Sequence, residues 1–522
     1  MLVPALIMFR TLVSIAACLI QAVSAVAQES PTAPPRVRSH AERFATPEVR
    51  AERVEAEATA KLKANPDDPE SLNLRGVARM RLGRFAESYE DLRRAAALKP
   101  DNAEYHANLG YALWRLGRTG EAVAAERAAL KLDEKNFTAR YQLGRFLLRI
   151  GGRENLLEAA AHLRRAIELE PRNYDIRFEL IEAFRVLGDR AQASSQLDFL
   201  WDARPSDARV FYVSALLATD RDDLKAAIKD FNEALRRDPN LPGAWQDLGL
   251  AYVKLGQWTE AIETFAEMAR RQPGSVDAAY LGALSLFNAG RAAEAEREVR
   301  RALRINAGVA DAHTLLGVIL ASRPNANSEA IEVLSQAILL NPNSFDARFY
   351  LGRVLYATKD YTGAARELRA AAGLKPGHAQ ARFFLGTALE SAGESEAALA
   401  EYQELVKIDS RSAHGQVGLG ALLVKQGKID EAIAALKQAV SLDPKVFEAH
   451  WALGRALALS QRFSEAVEAL KTAVSIMPDR ADAHYQLGLA FRRLGRHEEA
   501  AREFALVDRI NTEFRKSQPP NQ

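Results

Sequence analysis

Apolar residues recur along this chain with helical spacing, in paired short runs punctuated by glycine and proline. Within residues 241–255, Trp245, Leu248, Tyr252 and Leu255 follow an i, i+3, i+7, i+10 course along one helix face. Gly256 ends that run, a second amphipathic run spans 259–270, and Pro273 stops it. The spacing predicts a helix hairpin with a short turn. The unit then recurs at a fixed step. Ala193, Ala227, Ala261 and Ala295, then Ala330, Ala364, Ala398, Ala432, Ala466 and Ala500, are each 34 residues apart, with one step of 35. Gly76, Gly110 and Gly144 keep the step, as do Gly352, Gly386, Gly420, Gly454 and Gly488. The prolines at 205, 239 and 273, at 342 and 376, and at 444 and 478 do the same. A period of this size means a stacked array in which each hairpin buries its apolar faces only against its neighbours.

Trp245, Leu248, Gly249, Tyr252, Ala261, Phe265 and Pro273 together resemble the tetratricopeptide repeat pattern. The residue types have physical reasons: Gly249 and Ala261 lack bulk, so the two helices approach closely, while Leu248, Tyr252 and Phe265 fill the space between them. The resemblance implies an all-α fold, a right-handed superhelical α-solenoid of helix-turn-helix repeats. Thirteen units are expected over 69–514: 69–102, 103–136, 137–173, 174–207, 208–241, 242–275, 276–309, 310–344, 345–378, 379–412, 413–446, 447–480 and 481–514. Some depart from the pattern. Ile181, Ala215 and Ala283 replace the packing glycine, the third unit has three extra residues near 152–155, and the eighth has one extra with a turn at 322–327. In front, Thr46-Pro47 reads as an N-cap and first-turn proline opening a capping helix within 47–68. At the rear, the run 498–516 is a second cap, and 515–522 form a polar tail.

Before the array, residues 1–27 have the order of a secretory signal peptide: Arg10, an apolar run, and Ala25-Val26-Ala27 before polar residues. Residues 28–46 read as a flexible linker with Pro31, Pro34 and Pro35. The expectation is export to a bacterial periplasm or the exterior, with no transmembrane span in the mature chain. The alternative is a lipoprotein, because Ile15-Ala16-Ala17-Cys18 resembles a lipidation box. Cys18 is the only cysteine, so no disulfide or CxxC site is available.

Composition narrows the function classes. With 70 Lys+Arg against 68 Asp+Glu, the formal charge of +2 argues against nucleic acid as partner. No metalloprotease, P-loop, nucleophile-elbow or dinucleotide-binding motif occurs, and Gly418-Leu419-Gly420 lacks a third glycine. No catalytic residue, cofactor or metal is expected, and the chain reads as a non-enzyme. His106, His313, His450 and His484 share the unit position of Trp245, which reads as a small aromatic substitute in helix packing. Acidic residues recur at the second unit position, where the helix dipole favours a carboxylate.

A binding surface is implied by the resemblance. In tetratricopeptide repeats the first helix of each hairpin lines the concave face, with unit positions 2, 5, 9, 12 and 13 pointing inward. Carried over, position 5 holds Tyr141, Phe178, Tyr212, Tyr280, Phe349, Phe383, Trp451 and Tyr485. Arg145, Arg353 and Arg455 follow four residues after three of them, on the same helix face, and Arg149, Arg185, Arg492 and Arg493 add positive charge. Aromatic and arginine side chains are favoured at protein interfaces, and guanidinium forks suit carboxylates. An aromatic at this position is also common in the family as cover for the next hairpin. The expected function is a protein–protein interaction scaffold in the cell envelope, taking an extended or helical peptide segment with acidic groups. A polysaccharide-binding, export-associated periplasmic protein is the alternative, with the aromatics stacking on sugar rings.

Overall fold

A computed structural model describes residues 46–323 and 326–517; the signal, linker and Cys18 readings fall outside the described residues. Among the described residues there are helices and no strand. The chain is an α-solenoid of antiparallel helix pairs. It divides into two compact units, one ending at Pro273 and the other beginning at Gly274, and within each unit every pair packs on the next.

The first unit opens with the helix Pro47–Ala64, where the Thr46 hydroxyl accepts the Val49 N–H at 3.4 Å. Its Ala51, Ala58 and Leu62 are buried, and its Glu55 pairs with Arg79 at 3.0 Å and with Arg84. This helix therefore closes the apolar end of the first hairpin, Pro69–Arg81 with Phe85–Leu98. The remaining hairpins of this unit run through Ala103–Arg115 and Thr119–Leu132 to Ala244–Lys254 and Trp258–Arg271. The three extra residues of the third hairpin lengthen its second helix, Arg153–Leu169, to 17 residues against 14 for Thr119–Leu132. The second unit runs from Val276–Asn288 to the 21-residue helix His497–Ser517.

What seals each hairpin is visible at the periodic small residues. The ten periodic alanines are all 0% exposed except Ala500 at 3%. A Cβ built on Gly249 would lie 2.5 Å from the Phe265 ring, and one on Gly420 would lie 2.5 Å from Leu436 Cγ. Glycine is thus what lets the first helix rest on a large side chain of the second. Between most of the paired helices the chain reverses through one left-handed residue, as at Gly256 (φ 69°). Asp222, Lys359 and Gln461 take the same conformation without being glycine.

The histidines at the Trp245 position also share a hydrogen bond. His106, His313, His450 and His484 each place Nε2 2.9–3.0 Å from the carbonyl oxygen six residues earlier, at Pro100, Ala307, Pro444 and Pro478. A carbonyl only accepts, so Nε2 carries the proton. Trp245 Nε1 donates to Pro239 O at 2.8 Å in the same way, and Arg348 and Arg382 donate to Pro342 O and Pro376 O. The position selects a donor long enough to reach the turn between hairpins, and arginine serves as well as an aromatic ring.

Candidate protein-binding surface

The side chains singled out along the first helices fall into two groups. In the first unit they are occupied by one another. Arg145, on Phe137–Ile150, lies 5.4 Å over the Tyr141 ring and pairs with Glu179 of the next hairpin at 3.3 Å. Burial alone would lower Arg145, but Glu179 and Tyr141 outweigh it and hold it above its ordinary value. Burial pushes the Tyr141 phenol up to about 12. Arg185 donates to both oxygens of Glu182 at 2.9 and 3.1 Å and reaches Asp220 of the next hairpin at 3.3 Å. Phe178 lies under Arg209, itself paired with Asp175 at 2.7 Å. Tyr212 donates its hydroxyl to Asp247 Oδ2 at 2.6 Å. Burial carries Asp247 up to about 6, with the Tyr212 hydrogen bond opposing. Arg149 is half-buried and engaged.

Several of these bonds join residues 34 or 35 apart, so they run laterally from one hairpin to its neighbour. Asn108 to Asn73 at 2.9 Å belongs to the same set, as does Lys425 to Glu390 at 2.6 Å in the second unit. Their effect is to fix the stacking of successive first helices and to spend the charges that make them internally.

The second unit differs. Arg353 lies 5.0 Å from the Phe384 ring, 5.6 Å from Tyr350 and 5.7 Å from Phe349. Arg455 is exposed and lies 4.7 Å over Trp451, whose Nε1 is buried without a hydrogen-bond partner. Tyr485 is 47% exposed, and Arg492 is exposed 5.9 Å from the Phe504 ring. Among the described residues no carboxylate pairs with Arg353, Arg455 or Arg492. A guanidinium on an aromatic face keeps its hydrogen-bond fork available, since the ring takes only its flat side.

One expected contact does not reach the surface in the way the repeat position implied. Phe349 is 3% exposed, stacked on Phe345 at 5.6 Å and edge-on to Phe384 at 5.8 Å, so it is packing and not a contact for a partner. Tyr280 is half-buried, and burial, with Asp311 and Asp346 adding, holds its phenol well above the ordinary range. Phe383 is half-buried, edge-on to Phe384 and His414. Tyr350 and Phe384, one place further along their helices, are what Arg353 meets. Their signal in the sequence was the doubled aromatics Phe349-Tyr350 and Phe383-Phe384.

Among the described residues no cluster of three or more His, Cys, Asp or Glu side chains is arranged to hold a metal, and no helix is long and apolar enough to cross a membrane.

Family models described as tetratricopeptide repeat match residues 152–217, 218–286 and 256–319, and 325–378, 360–413, 417–477 and 460–511. Further repeat models match 78–117 and 103–136. Tetratricopeptide repeat protein 37 of Xenopus laevis is 28% identical over 130 residues, 22% of this chain and only 8% of that protein's length. Among solved structures, YrrB, described as a TPR protein with an unusual peptide-binding site, is 23% identical over 35% of this chain and 95% of its own, with a TM-score of 0.32. A chain of the APC/C hetero-tetramer Cut9-Hcn1 is 13% identical over 86% of this chain and 97% of its own, with a TM-score of 0.41.

Proposed function

The chain belongs to the tetratricopeptide repeat family, and from that premise we propose that it is a non-enzymatic scaffold whose second unit holds an acidic peptide segment of another protein. The observation that carries this reading is the pair of guanidinium groups, Arg353 and Arg455, resting on aromatic rings with no carboxylate beside them. Two other arginines of the first helices are instead spent in lateral pairs, Arg145 with Glu179 and Arg185 with Asp220, whereas Arg115 also rests on rings, those of Phe85 and Tyr111. A cation kept unpaired beside half-buried aromatics favours a partner that brings carboxylates and apolar side chains together. The same contact speaks against the polysaccharide alternative, because Arg455 covers the flat face of Trp451 on which a sugar ring would stack. The amino-terminal signal order supports placing this scaffold in the cell envelope, with processing after Ala27 or lipidation at Cys18 as the two routes.

The test is the triple substitution R353A/W451A/R455A, compared with the parent chain on an array of acidic peptides and on a glycan array. Hydrogen bonds to a charged group contribute ~1.5–3 kcal/mol each, so peptide affinity falls at least ~10-fold per arginine removed. Circular dichroism must show the same helicity in both proteins. Unchanged peptide binding by the variant refutes the surface, and binding confined to glycans refutes the partner class.

A further inference from the structure

In the other hairpins that have an inter-helix glycine the side chain that covers it is apolar or aromatic, as with Leu92 on Gly76, Leu163 on Gly144, Phe265 on Gly249 and Leu436 on Gly420. In the hairpin formed by Ala103–Arg115 and Thr119–Leu132 that place is taken by Glu126. The residue is 0% exposed, and neither carboxyl oxygen has a hydrogen-bond partner. It is pressed on Gly110, where a Cβ would lie 2.5 Å from Oε1 and 2.9 Å from Cδ. An ionised carboxylate cannot remain in such a place without water or a counter-ion.

No counter-ion is at hand. On Ala103–Arg115, His106 bonds Pro100 O, Glu104 faces Tyr105, and Arg115 lies over Phe85 and Tyr111. On Phe137–Ile150, Arg140 bonds Glu134, Arg145 faces Tyr141 and Glu179, and Arg149 is engaged. On Phe85–Leu98, Tyr89 lies under Arg118 and Asp91 pairs with Arg75 and Arg79. On its own helix, Glu121 pairs with Arg118 and Arg127 with Glu158, and Lys131 sits in the last turn. None of them acts on Glu126, whose proton affinity is raised by burial alone.

We propose that Glu126 is a proton-operated latch on this hairpin. With a proton on the carboxyl the two helices stay closed over Gly110. When the proton passes to water, the carboxylate must be hydrated, and Thr119–Leu132 lifts from its partner to admit solvent. The two faces that this helix covers in the array open with it, so this hairpin loosens as pH rises.

Hydrogen exchange on the whole chain tests this, read hairpin by hairpin and corrected for intrinsic rates. As pH rises above the ordinary carboxylate range the opening constant of 119–132 climbs in the parent chain, by up to ~10-fold per pH unit, until the carboxyl of the closed hairpin itself loses its proton. In E126L, which restores an apolar side chain, and in E126Q, which keeps the shape without the charge, the opening constant is flat. The hairpin Ala413–Lys425 with Ile429–Leu442, which has Leu436 at this place, is flat in all three. A flat profile in the parent chain, or the same slope in both variants, overturns the proposal.

Discussion

Consider Gly420→Ala, one methyl group at the crossing of Ala413–Lys425 and Ile429–Leu442. On helix propensity alone the change stabilises by ~1 kcal/mol. The packing argues the other way. The new Cβ would stand 2.5 Å from Leu436 Cγ, 2.9 Å from Cδ2 and 3.2 Å from Cδ1, and Leu436 is 0% exposed, so its branch point has nowhere to move. Overpacking of this kind costs ~1–3 kcal/mol, so the net effect is a loss of up to ~2 kcal/mol. Leu436→Ala alone costs ~2–5 kcal/mol through the cavity it leaves. The two changes are complementary in shape, because the added methyl occupies space that the leucine branch has vacated. The double variant is therefore less damaged than the two losses added, by ~1–2 kcal/mol. Because a solenoid need not unfold as one unit, the readout is hydrogen exchange of helices 413–425 and 429–442, with urea denaturation as a second measure. Strict additivity, or a stabilising single Gly420→Ala, would show that the glycine is not there to admit Leu436.

Two further outcomes follow from named contacts. Asp247 titrates near 6 in the folded chain because burial outweighs the Tyr212 hydrogen bond, against 3.8 when exposed. The folded state thus binds its proton more tightly, and the associated stability is full below the unfolded value and lost as pH rises through the folded one. Relative to Asp247→Asn, the parent chain loses up to about 3 kcal/mol across that window and then levels off; equal urea midpoints at both ends of the window would refute the assignment. Trp245→Phe keeps the ring but removes the donor to Pro239 O, a cost of ~0.5–1 kcal/mol because the bond is solvent-accessible. Trp245→His retains a donor, as His313 does at Ala307 O, and an unchanged midpoint for the phenylalanine variant would mean that the bond adds nothing.

Fold and binding surface were not equally legible, and the reason is physical. Periodicity reports what every unit must do, which is to seal Ala261 against its neighbours and admit Phe265 beside Gly249, so the hairpins and their small residues could be read directly. A repeat position does not report whether a charge on it is spent. Arg145 and Arg353 occupy the same place, yet one meets Glu179 across the hairpin boundary and the other meets Tyr350 and Phe384. That difference depends on side chains 34 or 35 residues away, which the pattern of a single unit does not contain. It also explains Phe349, whose position resembles that of Trp451 but whose neighbours Phe345, Phe384 and His378 enclose it. The informative comparison in such an array is between each residue and its counterpart one step along: where the counterparts neutralise one another the array is held together, and where they do not it retains a charge to offer. By that measure Arg145 and Arg185 serve the stacking of the first unit, while Arg353 and Arg455 are the charges that the proposed acidic partner would meet.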